Sequence, residues 1–468
     1  MRRRRYSSYD GYGGYGRKKS RGGLYLFLLT MIIAGGAFIY VSPEFERVPP
    51  VIETPPKAYW NGSSPIWIEV SDNGGLGEYQ VEVSDGKKSV VVASGRLDGE
   101  KRSRVSVSIP LSSGLDTSSG SWRLTVKVRD RSMWNFMRGN LAVSSMVIEP
   151  DLRPPMVGVV ANSPSIVRGG SALVVFQAED DHLKSVYISA GGRRFEVVPY
   201  RKKGFYASLV AWPFREKRFK ADIVARDEAG NRRVVDIPFE RITKRYKVSY
   251  IRASDRFIDG KIVQVADSDP EASRVKGRIE RFKAVNEGMR ERNEKLIHSL
   301  TKGVTPVDFD KWKIKAFYPL KSAKVVAYFG DERYYYYKKR KNVISHSWHL
   351  GYDLASTRQA SIKSSNGGEV LFASYNGIYG NMPLIDHGFG LYTLYGHCSS
   401  VFVVKGEKVK AGEVIAKTGT SGLALGDHLH FGILVQGVEV WPMDWMKQNW
   451  IESHIQRVFR RADKAINR

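Results

Sequence analysis

The longest apolar run of the chain covers residues 24–41 and contains no ionisable side chain. A helix rises about 1.5 Å per residue, so about 20 apolar residues cross a hydrocarbon core of about 30 Å. The pattern therefore predicts a transmembrane helix over residues 24–41. The small residues 34–37 leave a cleaved signal peptide as the alternative, but the apolar run continues beyond them, which favours an uncleaved anchor.

Alternating apolar and polar positions characterise residues 48–242. Period-two alternation is typical of strands with one buried face, and turn residues separate the segments at intervals suited to a β-sandwich. The clearest examples are residues 66–70, 122–128, 172–176 and 221–225.

This region also repeats itself at an offset of about 100 residues, which fits one Ig-like sandwich per copy. The repeat predicts two sandwiches, 48–150 and 153–242, although neither has the cysteine pair of a true immunoglobulin domain. We expect them to act as spacers or as modules that bind envelope or division proteins. The repeated motifs are Pro49-Pro50-Val51 and Pro154-Pro155-Met156, Val70-Ser-Asp72 and Ala178-Glu-Asp180, and Arg129-Asp130 and Arg226-Asp227.

Helical spacing replaces the alternation after the second sandwich. Asp269 and Pro270 provide an N-cap and a first-turn proline, and apolar residues then recur at intervals of three, four and seven. The pattern predicts a helical arm over 269–301, either one helix or two, and a solvated structural arm is favoured over a dedicated interaction site. Strand patterns return over 312–446, and residues 447–468 predict a C-terminal amphipathic helix.

The chain of 468 residues carries 74 Lys and Arg against 48 Asp and Glu, a net charge of +26. The tail 1–23 contributes +7 of this net charge, lacks apolar periodicity and is predicted to be disordered. Basic residues stay on the cytoplasmic side, so we expect a cytoplasmic tail and an exported remainder. The other charges form no compact run, so no nucleic-acid partner is expected. A single cysteine, Cys398, excludes an internal disulfide.

Six of the nine histidines lie between His346 and His430. In a strand, His428-Leu-His430 would place both imidazoles on one face. An isolated His-x-His pair arises often by chance, but His349 and Asp353 add a third nitrogen and a carboxylate to the same region. Two histidines and one aspartate, with one coordination position open, suit a catalytic Zn²⁺.

These motifs are similar to those of the LytM/lysostaphin-type zinc endopeptidases over about residues 315–446. An aromatic and basic insertion from Tyr334 to Arg340 departs from the family pattern, as does Cys398. The matching motifs, in family order, are Phe329-Gly330 with Arg333, His349-Leu-Gly-Tyr-Asp-Leu-Ala355, Gly368-Glu-Val-Leu-Phe-Ala373, Gly380-Asn381, Asp386-His-Gly388, Tyr392-Thr-Leu-Tyr-Gly-His397, Val409-Lys-Ala-Gly-Glu-Val-Ile415, Gly419-Thr-Ser-Gly422 and Gly426-Asp-His-Leu-His-Phe431.

The resemblance implies that His349, Asp353 and His430 hold one Zn²⁺ per catalytic domain. It also implies that His397 and His428 are the catalytic histidines, and that peptidoglycan stem peptides are the substrate. The bond that is cleaved, a D-alanyl–diaminopimelate bridge or a glycine bridge, stays open. His387 is expected to be structural, and His346 to lie at the rim of the site.

Together these observations predict a multidomain, mainly β protein. Its expected parts are an N-terminal transmembrane helix, two Ig-like β-sandwiches, a helical arm and a C-terminal antiparallel β metallopeptidase domain. The expected function is cleavage of peptidoglycan cross-links on the outer, periplasmic face of the cytoplasmic (inner) membrane. The alternative is a non-enzymatic regulator or scaffold that binds or activates other cell-wall hydrolases. Such members typically lack metal ligands, whereas all five positions are filled here.

Overall fold

The computed structural model describes residues 21–467, which divide into one unit that ends at Leu152 and a second that begins at Arg153. The predicted disordered tail 1–23 lies outside the described residues, apart from residues 21–23. The domain boundaries inferred from the sequence stay predictions.

The first unit begins with a 20-residue helix, Gly22–Val41, none of whose residues is buried. It ends before Pro43, and the Ser42 hydroxyl accepts a hydrogen bond from the Glu44 N–H at the start of a short 3₁₀ turn, Pro43–Phe45. Within the described residues, this is the one helix long and apolar enough to cross a membrane. A signal sequence near the N-terminus would meet the same criterion.

Two sheets follow, and alternate residues of their strands form a shared apolar core. Ile68 and Val70 from one sheet and Leu124 and Val126 from the other are fully or almost fully buried. Burial of each such side chain contributes about 1.5–3 kcal/mol. One sheet contains Val51–Glu53, Ile66–Ser71 and Arg102–Val107, and the other contains Lys57–Trp60, Leu141–Pro150, Trp122–Asp130, Leu76–Ser84 and Ser89–Arg96.

The second unit also begins with two four-stranded sheets and a short parallel pair. One sheet contains Val198–Pro199, Phe205–Ala211, Ser171–Glu179 and Met156–Asn162, the other contains Arg193–Phe195, Leu183–Ala190, Ala221–Asp227 and Arg232–Asp236, and the parallel pair is Ser165–Val167 with Glu240–Ile242. The Ig-like class of the sheet pairs in both units stays a prediction.

This second pair of sheets packs against the C-terminal region rather than standing apart as a spacer. The Trp445 indole N–H donates to Ser171 Oγ at 2.9 Å. The Gln436 side chain donates to Glu196 O at 3.0 Å and accepts from Glu196 N–H at 2.8 Å. Apolar residues of both regions belong to one continuous core.

The helical arm begins later than the sequence pattern predicts. Asp269 Oδ1 accepts from the N–H groups of Glu271 and Ala272 and pairs with Arg292 at 2.7 Å, so it stabilises a turn. The predicted arm over 269–301 is therefore too long at its N-terminal end. The helical segments are Phe257–Ile262, Val263–Ala266, Arg278–Lys283, Ala284–Met289 and Arg290–Thr301, and the last three run on continuously through a π-helical stretch at 284–289.

The apolar face of the arm packs against the strands that carry the histidine motifs. Phe282 and Met289 belong to one buried cluster with Tyr379 and Leu394. Asn293 Oδ1 accepts the N–H of Ile378 at 2.9 Å. The arm is therefore part of the support of the C-terminal domain.

Glu294 is a largely buried carboxyl group on the arm, and its Oε1 has no hydrogen-bond partner among the described residues. Burial raises its pKa from 4.5 to about 7. Since the folded-state pKa lies above the unfolded value, this contribution to stability is fully present below about pH 4.5 and is lost as the pH rises through about 7.

We expect the free energy of unfolding of the native protein to fall more than that of Glu294→Gln between pH 5 and pH 8. The expected difference is up to about 3 kcal/mol. Urea unfolding followed by tryptophan fluorescence, with both proteins at the same zinc occupancy, measures it. Identical pH dependence of the two proteins would show that the Glu294 carboxyl does not titrate in this range.

The C-terminal domain is built on a mostly antiparallel sheet, as predicted. Its central strands, Leu391–Gly396 and Leu429–Val435, are wholly buried. The sheet order is Lys324–Ala327, Tyr352–Ala355, Leu429–Val435, Leu391–Gly396, Asn381–Asp386, Gly368–Tyr375 and Lys408–Val409, with Val438–Val440 beside Leu429–Val435.

The C-terminal domain also contains two three-stranded sheets. Four helical segments follow its last strand: Pro442–Trp445, Gln448–Ile451, Glu452–Gln456 and Arg457–Ile466. The two three-stranded sheets contain Val248–Arg252, Glu332–Tyr336 and Val343–Trp348, and Ser361–Lys363, Val414–Lys417 and Ser400–Val401.

Candidate metal centre and active site

The three predicted metal ligands meet on adjacent strands. The antiparallel register places Asp353 directly opposite His430, and His349 lies just before the strand that carries Asp353. His349 Nε2 lies 2.9 Å from Asp353 Oδ1 and 3.1 Å from His430 Nδ1. His430 Nδ1 lies 3.0 Å from Asp353 Oδ1.

The hydrogen bonds of His349 indicate what this cluster holds. Its Nδ1 lies 2.9 Å from the carbonyl oxygen of Tyr328, which can only accept, so Nδ1 carries the proton and Nε2 a lone pair. That lone pair faces the lone pairs of Asp353 Oδ1. Ligand atoms around a tetrahedral Zn²⁺ with bonds of 2.0–2.2 Å are about 3.4 Å apart, close to the separations seen here. The donor set therefore fits a zinc ion.

The protonation states of the cluster also suit a metal. Burial alone would raise the pKa of Asp353, but the neighbouring His349 holds it well below its usual range. Burial lowers the pKa of His430 to about 4. Both groups are therefore unprotonated at neutral pH, as metal ligands must be.

Arg333 supports Asp353 from the neighbouring three-stranded sheet. Its Nε lies 3.2 Å from Asp331 Oδ2, and its Nη2 lies 3.9 Å from Asp353 Oδ2. Only 17% of the Arg333 side chain is exposed, so solvent screens this charge little. The sequence motif contains Arg333, but nothing in the sequence indicated this contact.

Replacing Arg333 with methionine should weaken zinc binding by about 10–100-fold, because Asp353, a predicted ligand, loses a neighbouring positive charge. Competition with a chromophoric chelator measures the affinity. Arg340→Met is the matched control, since Arg340 lies exposed in the same hairpin, over the ring of Tyr250. Equal zinc affinity of the Arg333→Met variant and the native protein would contradict the assigned role.

The two predicted catalytic histidines lie beside the cluster. The ring centroids of His397 and His428 are 4.8 Å apart, and His397 lies 5.8 Å from the ring of His430. His428 Nε2 is 3.6 Å from Asp353 Oδ1. The structure thus brings all five predicted residues together.

Backbone carbonyls orient both rings. His397 donates from Nδ1 to Ser421 O at 2.9 Å, and His428 donates from Nδ1 to Gly426 O at 2.7 Å. Each ring therefore keeps Nε2 as the nitrogen with a lone pair. Burial lowers the pKa of His397 well below its usual value. Burial would also lower the pKa of His428, but Asp353 raises it above 6.5.

The backbone of His397 is unusual. Its φ of 65° lies in the left-handed region, which a non-glycine residue seldom adopts. Its N–H donates to Tyr379 O at 2.7 Å, and the ammonium of Lys261, in the helical segment Phe257–Ile262, donates to Thr420 O beside Ser421. These contacts hold the ring in place, and sequence patterns contain no signal for them because the acceptors are main-chain atoms.

The other residues singled out in the sequence have different surroundings. His387 uses both ring nitrogens, Nδ1 at 2.8 Å from Gly367 O and Nε2 at 2.7 Å from Thr393 Oγ1. The His346 ring packs edge-on against Trp348, and its Nε2 lies 3.1 Å from Glu332 Oε1. Cys398 is buried, and burial raises the pKa of its thiol to about 12.

Residues 347–442 match the sequence profile of peptidase family M23, and with the geometry above they form an M23 peptidase domain of the LytM type.

Three relatives illustrate the range of proteins that the chain resembles. It is 36% identical over 106 residues to the DD-carboxypeptidase/endopeptidase Mpg of Neisseria meningitidis, a match of 22% of this chain and 24% of the relative. It is 36% identical over 99 residues to the peptidoglycan DD-endopeptidase ShyB of Vibrio cholerae, a match of 21% of this chain and 22% of the relative. It is 33% identical over 96 residues to the murein hydrolase activator EnvC of Escherichia coli, a match of 20% of this chain and 23% of the relative. The chain thus spans about a quarter of the length of these relatives.

Proposed function

We propose that this protein is a membrane-anchored, zinc-dependent endopeptidase that hydrolyses peptide cross-links of bacterial peptidoglycan on the outer face of the cytoplasmic membrane. The observation that carries the proposal is the convergence of two histidines and one aspartate with mutually facing lone pairs, beside two further oriented imidazoles. The substrate class is supported by the names of two relatives, which are DD-endopeptidases.

His349 Nε2, Asp353 Oδ1 and His430 Nδ1 would hold the zinc ion. When bound, zinc lowers the pKa of a water ligand and polarises a carbonyl group. The Nε2 atoms of His397 and His428 can accept a proton from attacking water, because both rings donate from Nδ1. The same atoms, once protonated, can donate to a developing oxyanion or to the leaving amine.

The test uses the full-length protein, purified in detergent and incubated with cell-wall sacculi. We expect one zinc ion per chain by elemental mass spectrometry, and conversion of cross-linked muropeptides to monomers. The new termini identify the cleaved bond as a D-alanyl–diaminopimelate bridge or a glycine bridge. Unchanged muropeptides in the presence of the zinc-loaded protein would refute the proposal.

The second candidate function, regulation of another hydrolase, is supported by the similarity to EnvC, which is named a murein hydrolase activator. The complete set of metal-binding and catalytic side chains in this chain favours the enzyme. A zinc-loaded protein that leaves sacculi intact, yet accelerates a separate wall hydrolase, would support the regulator instead.

The proposed membrane anchor leads to a separate prediction about which side of the membrane each part of the chain occupies. With an uncleaved span over 24–41 and a basic tail before it, we expect protease added to the outer face of intact spheroplasts to remove the C-terminal part and spare residues 1–23. Intact-mass measurement of the membrane-bound protein gives the same information. A mature N-terminus near Ala37 would show that the segment is a signal peptide.

A further inference from the structure

Three carboxylates meet at one end of the paired sheets of the first unit. Glu46 follows the turn after the N-terminal helix, Asp72 follows strand Ile66–Ser71, and Asp130 is the last residue of strand Trp122–Asp130. One oxygen atom of each lies within 4.8 Å of the other two. Within residues 21–467, none of the three forms an ion pair with a Lys or Arg side chain.

One carboxylate oxygen of Asp72 has no hydrogen-bond partner within residues 21–467. The Oδ1 atom is buried and accepts no hydrogen bond from the part of the chain that the structure describes. The other oxygen, Oδ2, accepts the N–H groups of Gly74 and Gly75 at 2.8 and 2.7 Å, so the carboxylate is fixed in orientation. A buried carboxylate oxygen that accepts no hydrogen bond destabilises the fold unless a bound cation compensates its charge.

The three acidic groups also repel one another. Burial, together with nearby Asp130 and Asp72, raises the pKa of Glu46. The side-chain amide of Asn140 bridges two of them, donating to Glu46 Oε1 at 3.0 Å and to Asp130 Oδ2 at 2.7 Å. This neutral amide orients the carboxylates but does not offset their charge.

The sequence of the second sandwich repeats the same acidic positions. Glu46 precedes Pro49-Pro50 by three residues, and Asp151 precedes Pro154-Pro155 by three. The motif that ends in Asp72 recurs with Asp180, and the motif that ends in Asp130 recurs with Asp227.

The asparagine recurs as well. Asn231 donates from its backbone N–H and its side-chain amide to the two oxygens of Asp227, both at 2.8 Å. Asn140 makes the same two contacts with Asp130, at 2.8 and 2.7 Å. The pairing of a strand-end aspartate with its asparagine is therefore repeated in the second unit.

We infer that Glu46, Asp72 and Asp130 form a Ca²⁺ site. The donors are all oxygen atoms, which hard cations prefer, and the group contains no His or Cys that would favour zinc. Ca²⁺ accepts six to eight oxygens in irregular geometry, whereas Mg²⁺ demands an octahedron and gives up its water reluctantly. The bound ion links the segment that follows the N-terminal helix to two strands of the sandwich.

Calorimetric titration of Ca²⁺ into the full-length, zinc-saturated protein in detergent tests this inference. We expect saturable binding, with a dissociation constant of about 10⁻⁴–10⁻³ M as in extracellular modules. Asp72→Asn should lower the number of bound ions by one per chain or weaken that site at least tenfold. Asp98→Asn is the matched control, because Asp98 is exposed in the same unit and its φ of 42° suits asparagine.

Glu46→Gln provides a second variant, since Glu46 is only half-buried and lies outside the strands. It should weaken binding in the same way. Any of three results would overturn the inference. These are no Ca²⁺ binding at concentrations up to about ten times the expected dissociation constant, equal Ca²⁺ binding by Asp72→Asn and the native protein, and an affinity for Mg²⁺ equal to that for Ca²⁺.

Limited proteolysis gives a readout independent of binding heat. Arg47 is exposed directly after Glu46, so Ca²⁺ should slow tryptic cleavage at Arg47 at least threefold in the native protein but not in Asp72→Asn. A cleavage rate unaffected by Ca²⁺ in the native protein would contradict the link. Neither measurement involves peptidoglycan, so its outcome is separate from that of the proposed endopeptidase activity.

Discussion

Replacing His349, Asp353 or His430 with alanine is expected to abolish zinc binding and, with it, the cleavage of cross-linked muropeptides. Each of the three supplies one of the donor atoms that lie 2.9–3.1 Å apart. Loss of one leaves two ligands, and in the two histidine variants a buried Asp353 carboxylate also loses a partner. Elemental mass spectrometry of the purified variants and muropeptide chromatography measure the two effects.

The matched control for the ligand variants is His346→Ala. His346 lies in the strand that leads to His349, but its ring packs against Trp348 and Tyr334 and its Nε2 faces Glu332. We expect this variant to keep both zinc and activity. If His428→Ala loses the metal while His430→Ala retains it, the ligand assignment is wrong.

Replacing His397 or His428 should lower kcat by about 10²–10⁴-fold while zinc stays bound, because proton transfer by a positioned imidazole contributes about that factor. His397→Asn is the better variant at its position, since asparagine tolerates the left-handed φ of 65°. His428→Ala serves at the other position. Zinc content and turnover measured on the same preparations separate catalytic loss from metal loss.

Unfolding temperatures of the two variants within a few degrees of the native value would show that the fold is retained. A fall of less than tenfold in kcat for either variant would remove that histidine from the proposed catalytic pair. Loss of zinc from His397→Asn would indicate that the ring supports the ligands rather than the reaction.

Local periodicity predicted much of the secondary structure. The apolar run over 24–41 lies within helix Gly22–Val41. The alternating segments 66–70, 122–128, 172–176 and 221–225 all fall in strands. The start of the arm at Asp269 was wrong, because an Asp that caps a turn and an Asp that caps a helix have the same local sequence signal. Only the pairing of Asp269 with Arg292, on a helix later in the chain, distinguishes them.

The chemistry of the candidate site was accessible from the sequence because side chains that bind metals are few and their spacing is characteristic. The contacts that orient those side chains were not. His349, His397 and His428 all donate to main-chain carbonyls, of Tyr328, Ser421 and Gly426. Every residue has a carbonyl group, so such partners carry no signal in the sequence.

The sequence by itself determined the apolar helix and the alternating strands, since each depends on residue type and short-range spacing. It indicated the five residues of the candidate site through the resemblance of their motifs to those of the LytM/lysostaphin-type family. The tertiary structure decided which distant segments meet. It pairs Asp353 with His430, 77 positions apart, packs the arm beneath the histidine-bearing strands, and joins Glu196 to Gln436, 240 positions apart. Long-range contacts depend on the summed burial and hydrogen bonding of whole sheets, a quantity that no local window of sequence contains.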